Sequence, residues 1–324
     1  MKHTSNLLTL AIGSSLPSFV RRRNSPRSIR GRTAIMAIVL GASFFAGNPA
    51  RAEVEVTTTA NEMTFTSSDY EAHFVAANPS THEDYGWTLA RLNYKERPLL
   101  TETGAHGAVL RPTLEDGTLG ELVGTRHGGE KIESLEIVVD GTVHPFAPNL
   151  NLRGKKAALV KRSRVGPYHQ ESTVTLSDQG LAEKASFKLV ENDDRVNIFY
   201  AFMHCLSKRF NHWITGSTGK GVEARGEFLA DDSFTDLGAV KWLAVYSEAE
   251  GSGAVMSYKE CYDSQRPTTN RFWNRKDDNK HYLWPSRLGK TGGAAEFDCR
   301  LAGFEAEKEE WAQKAEKLAA ALQP

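Results

Sequence analysis

Histidine and arginine side chains at three places in the sequence could transfer protons or bind a polar ligand. The first place is residues 124–130 (GTRHGGE), where the glycines allow the backbone to approach a ligand closely. Arg126 carries a guanidinium fork suited to carboxylates or sugar hydroxyls, His127 is a candidate acid or base, and Glu130 is its candidate partner. An exposed turn with solvated charges is the alternative interpretation of these residues.

The second place is residues 204–213, where charged residues follow an apolar run. His204 is a candidate acid or base at the end of a predicted strand, and Arg209 and His212 are candidate ligand-binding residues. Trp213 offers a flat ring to the C–H face of a sugar. A hydrogen-bonded histidine in the core is the alternative for His204.

The third place is residues 271–284, where aromatic rings alternate with cations. Arg271 and Trp273, with Lys280 nearby, suit an acidic polysaccharide, because rings stack on sugars and cations pair with carboxylates or sulfates. The same residues are also typical of a packed segment in which arginine stems cover tryptophan faces. His106, between two glycines, is a lone candidate that is more often a turn residue.

The sequence therefore nominates His127 and His204 as catalytic residues. Six further side chains form the predicted substrate-binding set: Arg126, Arg209, His212, Trp213, Arg271 and Trp273. No cofactor and no metal is predicted, because no phosphate-binding loop or zinc-type spacing of cysteines and histidines occurs in the sequence. No carboxylate pair with the spacing of a glycosidase can be nominated either, so the sequence leaves open whether the protein is an enzyme.

The elements that must position these residues are mostly strands. Most of residues 53–302 alternates polar and apolar residues with a period of two, and 140–141 (DG) predicts a hairpin turn. Residues 195–203 (RVNIFYAFM) predict one central strand, and residues 262–293 predict a long loop. Only the C-terminus has the apolar stripe of a helix, which we expect to pack on a sheet.

These patterns predict an all-β fold, an antiparallel β-sandwich with one C-terminal α-helix. The sandwich domain is predicted at residues 53–302 and the helix at 303–324.

Residues 1–52 predict a cleavable signal peptide. They carry eight Lys and Arg residues and no Asp or Glu, then an apolar run at 34–47, then Ala50 and Ala52 at the positions that a signal peptidase reads. The run is too short to cross a bilayer core of about 30 Å as a helix, so we expect no stable membrane span after cleavage, with an uncleaved anchor as the alternative. Periplasmic or extracellular localisation is predicted, and the arginines at 21–23 leave Sec and Tat export both open.

The net charge limits the classes of expected partner, and the cysteines limit the possible disulfides. Removing the eight leader cations from 40 basic and 40 acidic residues leaves 32 against 40, a net charge of −8. Nucleic acid is therefore not an expected partner, because its binding needs cationic side chains against phosphates. In an exported protein the three cysteines permit one disulfide; we favour Cys261–Cys299, with Cys205 as a buried thiol.

Three segments carry a resemblance to a known family: residues 88–100 (TLARLNYKERPLL), 196–213 (VNIFYAFMHCLSKRFNHW) and 280–283 (KHYL). They resemble the galactose mutarotase-like supersandwich superfamily, which includes aldose epimerases and sugar-binding domains of polysaccharide-degrading enzymes. The resemblance implies a supersandwich fold and a sugar ligand. Active epimerases carry His-Pro-aromatic-aromatic-Asn around an acid histidine, whereas here His144, Pro145 and Phe146 continue with Ala-Pro. The resemblance therefore supports a carbohydrate partner better than epimerase activity.

The predicted function is that of a secreted or periplasmic carbohydrate-binding or carbohydrate-active protein. If it acts, we expect acid/base proton transfer on a sugar, with an acidic polysaccharide among the candidate partners. The alternative is a non-catalytic extracytoplasmic structural or interaction module.

Overall fold

The structure is a computed structural model that describes residues 53–77, 84–107, 109–190, 196–217, 221–259, 269–284 and 294–322. The predicted signal peptide at 1–52 and Cys261 lie outside the described residues. Within those ranges, no helix has both the length and the apolar character needed to cross a membrane.

Strands make up most of the described chain. The first twelve are β1 (Val54–Thr58), β2 (Glu62–Thr66), β3 (Tyr70–Ala77), β4 (Asp84–Tyr94), β5 (Arg97–Pro98), β6 (Leu100–His106), β7 (Val109–Pro112), β8 (Val123–Gly124), β9 (Glu130–Val139), β10 (Thr142–Pro145), β11 (Asn151–Gly154) and β12 (Lys156–Val165). The others are β13 (Tyr168–Ser177), β14 (Gly180–Leu189), β15 (Val196–Tyr200), β16 (Phe202–Leu206), β17 (His212–Ser217), β18 (Gly221–Glu227), β19 (Phe234–Gly238), β20 (Trp242–Ser247), β21 (Ser252–Lys259), β22 (Thr269–Asn274), β23 (Asn279–Trp284) and β24 (Ala294–Glu305). A single helix, α1 (Trp311–Leu322), follows them.

The strands form two large antiparallel sheets and one small sheet. The first sheet has the order β11-β1-β2-β3-β4-β6-β16-β23-β22-β19, with β5 beside β4. The second sheet has the order β10-β9-β12-β13-β14-β24-β21-β20-β17-β18. The small sheet pairs β7 with β15 and β8.

The main core lies between the two large sheets. Phe65 and Phe74 of the first sheet belong to the same buried apolar cluster as Leu159, Leu176 and Leu181 of the second. Successive side chains of a strand point to opposite faces, so each large sheet contributes every second residue to this core. The predicted antiparallel β-sandwich with one C-terminal helix is confirmed.

The predicted central strand at residues 195–203 is wrong as a single element. β15 ends at Tyr200, β16 begins at Phe202, and the two strands belong to different sheets. At the junction, the Ala201 N–H donates to the Leu283 carbonyl oxygen at 3.0 Å. The break lies inside an apolar run, and such a run does not show to which sheet each of its residues belongs.

The predicted long loop at 262–293 is also wrong in its described part. β22 and β23 form a hairpin in the first sheet, in which Trp273 faces Lys280 and Phe272 faces His281. The predicted turn at 140–141 is confirmed: it joins β9 to β10, and Asp140 and Gly141 both have positive φ values, 50° and 87°.

The helix is shorter than predicted, because residues up to Glu305 continue β24. Phe304 lies on the outer side of that strand, and it packs with Tyr246, Ala315 and Ala319 in a second apolar cluster. The apolar stripe of the helix thus contacts the second sheet. Trp311 anchors the start of the helix, since its ring stacks on Tyr246 at 4.9 Å between centroids and 3° between planes.

We expect Trp311→Ala to lower the free energy of unfolding by on the order of 2 kcal/mol, because it removes a large half-buried ring from the helix–sheet contact. Urea unfolding followed by circular dichroism measures the change. Gln313→Ala, at an exposed position of the same helix, is the matched control and should stay close to the parent. Equal effects of the two substitutions would show that the ring does not hold the helix.

Candidate functional site

Cross-strand register places a set of chemically active side chains on one face of the first sheet. His106 of β6 pairs with Met203 of β16, Met203 with Tyr282 of β23, and Tyr282 with Arg271 of β22. In the next row, Cys205 pairs with Lys280, and Lys280 with Trp273. Directly paired residues of antiparallel strands share a face, so these two rows lie on the same side of the sheet.

That side faces away from the main core, and we call it the outer face. Met203, Cys205 and Tyr282 form an apolar cluster with Val109 and Tyr200 of the small sheet, separate from the cluster between the large sheets. The small sheet therefore covers part of the outer face. Cys205 is a buried thiol there, as predicted, and burial raises its pKa to about 12.

The turn after β8 brings His127 to this face. The His127 N–H donates to the Gly124 carbonyl oxygen, and the Gly124 N–H donates to the Gly128 carbonyl oxygen, both at 2.9 Å. The backbone of Arg126 is left-handed, with φ of 67°, and its guanidinium donates to the carbonyl oxygens of Glu102 and Thr103. Arg126 thus ties the turn to β6, the strand that carries His106.

His127, Tyr200 and His106 form a chain of hydrogen-bonding groups. The His127 Nε2 lies 3.0 Å from the Tyr200 hydroxyl oxygen, and that oxygen lies 3.5 Å from the His106 Nδ1. The His106 Nε2 lies 3.1 Å from the Thr103 carbonyl oxygen. His127 is exposed, whereas His106 and Tyr200 are buried, so the chain runs from solvent into the protein.

The direction of each hydrogen bond in this chain of three residues follows from the contact between His106 and the Thr103 carbonyl oxygen. A carbonyl oxygen only accepts, so the His106 Nε2 carries the proton and its Nδ1 accepts from the Tyr200 hydroxyl. The Tyr200 oxygen then accepts from the His127 Nε2–H. This assignment, which is made from the hydrogen-bond network, leaves the His127 Nδ1 unprotonated and able to act as a base.

Both histidines of the chain are held in the neutral form. Burial lowers the pKa of His106 well below its ordinary value, and the positive charges of Arg126 and Lys280 add to this effect. Partial burial of its ring is the main cause that lowers the pKa of His127, and the charges of Lys280 and Arg126 lower it further. Burial raises the pKa of Tyr200, so its hydroxyl keeps its proton.

Aromatic rings and cations continue the outer face toward its edge. The Lys280 amine lies 5.8 Å from the centre of the Trp273 ring, and the Arg275 guanidinium lies 5.0 Å from it. Phe234 stacks on Trp273 at 5.4 Å, and the Arg271 guanidinium makes an ion pair of 2.7 Å with Asp236. Aromatic rings beside cations are the groups that recognise acidic sugars.

We name the ensemble of these side chains the outer patch. Its members share the outer face of the first sheet or the turn beside it: His106, Arg126, His127, Tyr200, Arg271, Trp273, Lys280 and Tyr282. Four residues predicted from the sequence belong to it: Arg126, His127, Arg271 and Trp273.

His204 lies on the opposite face of the same sheet. It is fully buried between the two large sheets, and its Nε2 lies 2.5 Å from the Glu183 Oε2 of β14. Its ring stacks on His281 at 6.1 Å between centroids. The two predicted catalytic histidines are therefore not brought together, and the role predicted for His204 stays a prediction that its burial does not favour.

The predicted ligand-binding tryptophan at Trp213 is also in the core. Its ring packs on Phe272 at 5.9 Å, its Nε1–H donates to the Glu227 carbonyl oxygen at 3.2 Å, and only 8% of the residue is exposed. A Cβ at Gly226 would come within 2.4 Å of the Trp213 ring, so the glycine is needed for this packing. A ring held this way offers no open face to a sugar.

Arg209 and His212 contact other parts of the surface. Arg209 makes a 2.7 Å ion pair with Glu250, and its Nε donates to the Pro98 carbonyl oxygen at 2.8 Å. His212 lies 3.2 Å from Glu248 and stacks on Trp311 of the helix. None of these partners is a member of the outer patch.

Glu130 is not the partner of His127. Its carboxylate is buried, with a 2.8 Å ion pair to Lys161 and hydrogen bonds from the hydroxyls of Thr125 at 2.9 Å and Ser163 at 2.7 Å. Two residues of the segment 124–130 therefore have different roles. His127 reaches the outer patch, while Glu130 holds the base of the turn inside the sandwich.

Tyr200 and Tyr282 were not identified from the sequence, and His106 was a lone candidate that is more often a turn residue. Tyr200 sits in an apolar run, where a tyrosine is an ordinary core residue. The only sequence signal for these residues was the alternation of side chains in β16 and β23. It places Met203 on the same face of β16 as Cys205, and Lys280 on the same face of β23 as Tyr282. The strand pairing that joins them is not local and could not be read from the sequence.

No protein-family model and no curated protein matches the sequence. The solved structures similar to this chain include the GH36 alpha-galactosidase AgaA from Geobacillus stearothermophilus, with TM-score 0.46 and 8% identity, covering 76% of this chain and 41% of that one. A candidate aldose 1-epimerase from Escherichia coli K12 has TM-score 0.41 and 10% identity over 77% and 99% of the two chains. A galactose mutarotase-like protein from Clostridium acetobutylicum has TM-score 0.39 and 9% identity over 75% and 95%.

The predicted galactose mutarotase-like fold family is thus represented among the solved structures that the chain resembles. The chain spans about two fifths of the alpha-galactosidase, at 41% of its length. At these identities and TM-scores the likeness carries no argument about activity or ligand, which must come from the chain's own residues.

We expect Lys161→Met to lower the free energy of unfolding by about 3–5 kcal/mol, because it leaves the Glu130 carboxylate buried without its counter-charge. The side chains of this pair are 5% and 2% exposed. Urea unfolding measures the change, and Lys156→Met at an exposed position of the same strand is the control. A loss no larger than that of Lys156→Met would mean that the ion pair does not hold the turn.

We expect His127 to titrate below the 6.5 of an ordinary histidine, so that it is neutral at pH 7 and gains its proton only at lower pH. Lys280→Met should raise this pKa, because it removes a nearby positive charge. Nuclear magnetic resonance of the His127 ring during a pH titration measures both values. Lys276→Met, an exposed lysine between the strands of the same hairpin, should leave the pKa unchanged; an equal shift in both variants contradicts the assignment.

Proposed function

We propose that this chain is an exported carbohydrate-binding protein whose outer patch binds an acidic sugar. The observation that carries the proposal is the joining of two features on one face of the first sheet: the Trp273 ring flanked by Lys280 and Arg275, and the His127–Tyr200 pair. A sugar that contacts the half-exposed ring would have cations beside it and hydrogen-bonding groups along the same face.

The charge of the outer patch supports an acidic ligand over a neutral one. Arg126 and Lys280 bring two cations to a mature chain whose overall net charge is −8, and Arg271 adds a third that is paired with Asp236. A guanidinium and an amine both favour carboxylate or sulfate groups, with arginine able to bind in a bidentate manner. A uronic or sulfated polysaccharide therefore fits this face better than a neutral glucan.

Acid/base catalysis on the bound sugar is the second candidate function. The directional chain from His127 through Tyr200 to His106 favours it, because it places an unprotonated Nδ1 on an exposed ring. His127 would take a proton from a sugar carbon or hydroxyl, and Tyr200 and His106 would orient its ring. His204 has no part in this proposal.

Export is proposed from residues 1–52. Their basic region, short apolar segment and small residues before Glu53 support a cleavable signal. N-terminal sequencing of protein from the periplasm or medium would test this, with a mature terminus near Glu53 as the expected result. A full-length chain retained in the cytoplasm contradicts the proposal.

Isothermal titration with uronic, sulfated and neutral oligosaccharides of equal length tests the ligand class. We expect binding to acidic members that weakens as salt rises. Trp273→Ala should reduce the affinity on the order of tenfold, about 1.4 kcal/mol, through loss of the contact between ring and sugar. Trp311→Phe, which keeps a ring in the helix contact away from the outer patch, should bind like the parent.

Equal affinity for neutral and acidic sugars would refute the acidic class, and no binding at all would favour the non-catalytic structural or interaction module. Catalysis is separated from binding by Tyr200→Phe, which keeps the ring and removes the hydroxyl. If the chain is an enzyme, this variant binds the sugar but loses most turnover. If it only binds, parent and variant bind alike and neither forms product.

A further inference from the structure

A second cluster of reactive side chains lies inside the sandwich, away from the outer patch. Glu183 of β14, His204 of β16 and Cys299 of β24 are all buried, and one ligand-type atom from each lies within 4.8 Å of the others. Glu183 and Cys299 are directly paired across adjacent strands of the second sheet. His204 reaches them from the first sheet, so the cluster joins the two large sheets.

We propose that Glu183, His204 and Cys299 form a binding site for one thiophilic divalent cation of the zinc class. The carboxylate, imidazole and thiolate that they supply are the three kinds of side-chain ligand that zinc takes in proteins. The thiolate selects against magnesium and calcium, which prefer oxygen ligands alone. The proposal is independent of the sugar-binding function.

The hydrogen bonding of His204 supports a role beyond an ordinary buried ion pair. Its Nε2 lies 2.5 Å from the Glu183 carboxylate, but its Nδ1 is buried without a hydrogen-bond partner among the described residues. A protonated imidazole would therefore bury one N–H unsatisfied. A neutral imidazole leaves either an ionised Glu183 carboxylate without a counter-charge or, if the carboxyl group holds the proton, the His204 Nδ1–H without an acceptor. Each protonation state of the pair therefore has an uncompensated group in the interior.

A divalent cation resolves the charge of the cluster. One thiolate and one carboxylate together carry two negative charges, which balance the two positive charges of the ion. Binding releases the Cys299 thiol proton and the proton shared by Glu183 and His204, and forms metal–sulfur, metal–nitrogen and metal–oxygen bonds. No oxidation or reduction is involved, and the interior stays neutral before and after binding.

Space for a fourth ligand is present next to Glu183. This residue lines a cavity of about 40 Å³ that also contacts Thr125, Lys161 and Gln170. The lining combines apolar and polar side chains, and the Gln170 amide has no hydrogen-bond partner among the described residues, which suits a bound water. A water from this cavity would complete a four-coordinate site.

Cobalt substitution tests the site directly. Purified full-length chain, prepared without metal, is titrated with Co²⁺ and then with Zn²⁺. We expect about one equivalent of Co²⁺ to bind with a thiolate-to-cobalt charge-transfer band, which Zn²⁺ abolishes, and Zn²⁺ to raise the unfolding temperature. The absence of this band in the parent overturns the proposal.

Cys205→Ser and Cys299→Ser form the matched pair of variants. Both replace a buried thiol, but Cys205 points to the outer face and lies outside the cluster. Cys205→Ser should keep the band, and Cys299→Ser should abolish it and weaken metal binding at least about tenfold. A band that is lost in Cys205→Ser and kept in Cys299→Ser refutes the assignment. If Cys299→Ser does not fold, Glu183→Gln serves in its place.

Mass spectrometry of unreduced protein tests whether Cys299 is a free thiol, as the proposed site requires. Recovery of Cys299 in a disulfide with Cys261 would overturn the proposal, because it removes the thiolate ligand. Recovery of Cys299 as a thiol, protected from alkylation by Zn²⁺ but not by Mg²⁺, supports it.

Discussion

The packing of two sheets face to face is the constraint on which the other features of this structure depend. Burial of one face of each large sheet supplies the main apolar driving force, and it commits every second residue of each strand to the interior. β16 shows the consequence most clearly. Phe202, His204 and Leu206 face the core, while Met203 and Cys205 face the outer cluster. One strand therefore serves two chemically different regions.

Antiparallel pairing carries this division across the sheet. Because paired residues share a face, the outward set of β16 continues into β23 and β22, where Lys280 and Trp273 lie in the same row as Cys205. The inward set continues through His281 and Phe272 into the core. The outer patch is thus a product of register. A slip of one residue in the β22–β23 hairpin would send its cations into the interior.

The sequence predicted the fold class well because alternation is a local signal. Most strands and the turn at Asp140 and Gly141 followed from it. The sequence did not predict features that depend on strands distant from one another in the chain. The break at Ala201 lies inside an apolar run that gives no sign of it. The β22–β23 hairpin was predicted as a loop because its mixture of aromatic and charged residues is also typical of loops.

The prediction of the candidate site was limited in the same way, because it too depended on residues that are distant in the sequence. Alternation shows that His204 and Cys205 point in opposite directions, but it does not show which direction is the core. Arg126 and His127 were found because a glycine-rich turn is a local feature. Tyr200 was missed because its importance comes from contacts with His127 and His106, residues 73 and 94 positions away in the chain. Strand order decides such contacts, and it is not encoded in any one segment.

Polar groups inside the sandwich reveal a second constraint, which is that a buried charge needs a partner. Glu130 meets this need fully, through Lys161 and two hydroxyl groups. Glu183 meets it only through His204, whose second ring nitrogen has no partner among the described residues. The two carboxylates lie in the same interior, so solvent exposure does not explain the difference. The Glu130 network is complete and acts as structure, whereas the Glu183 cluster leaves one buried ring nitrogen without a partner among the described residues, which is why the interior of this sandwich is a better place to look for a metal ion than its surface.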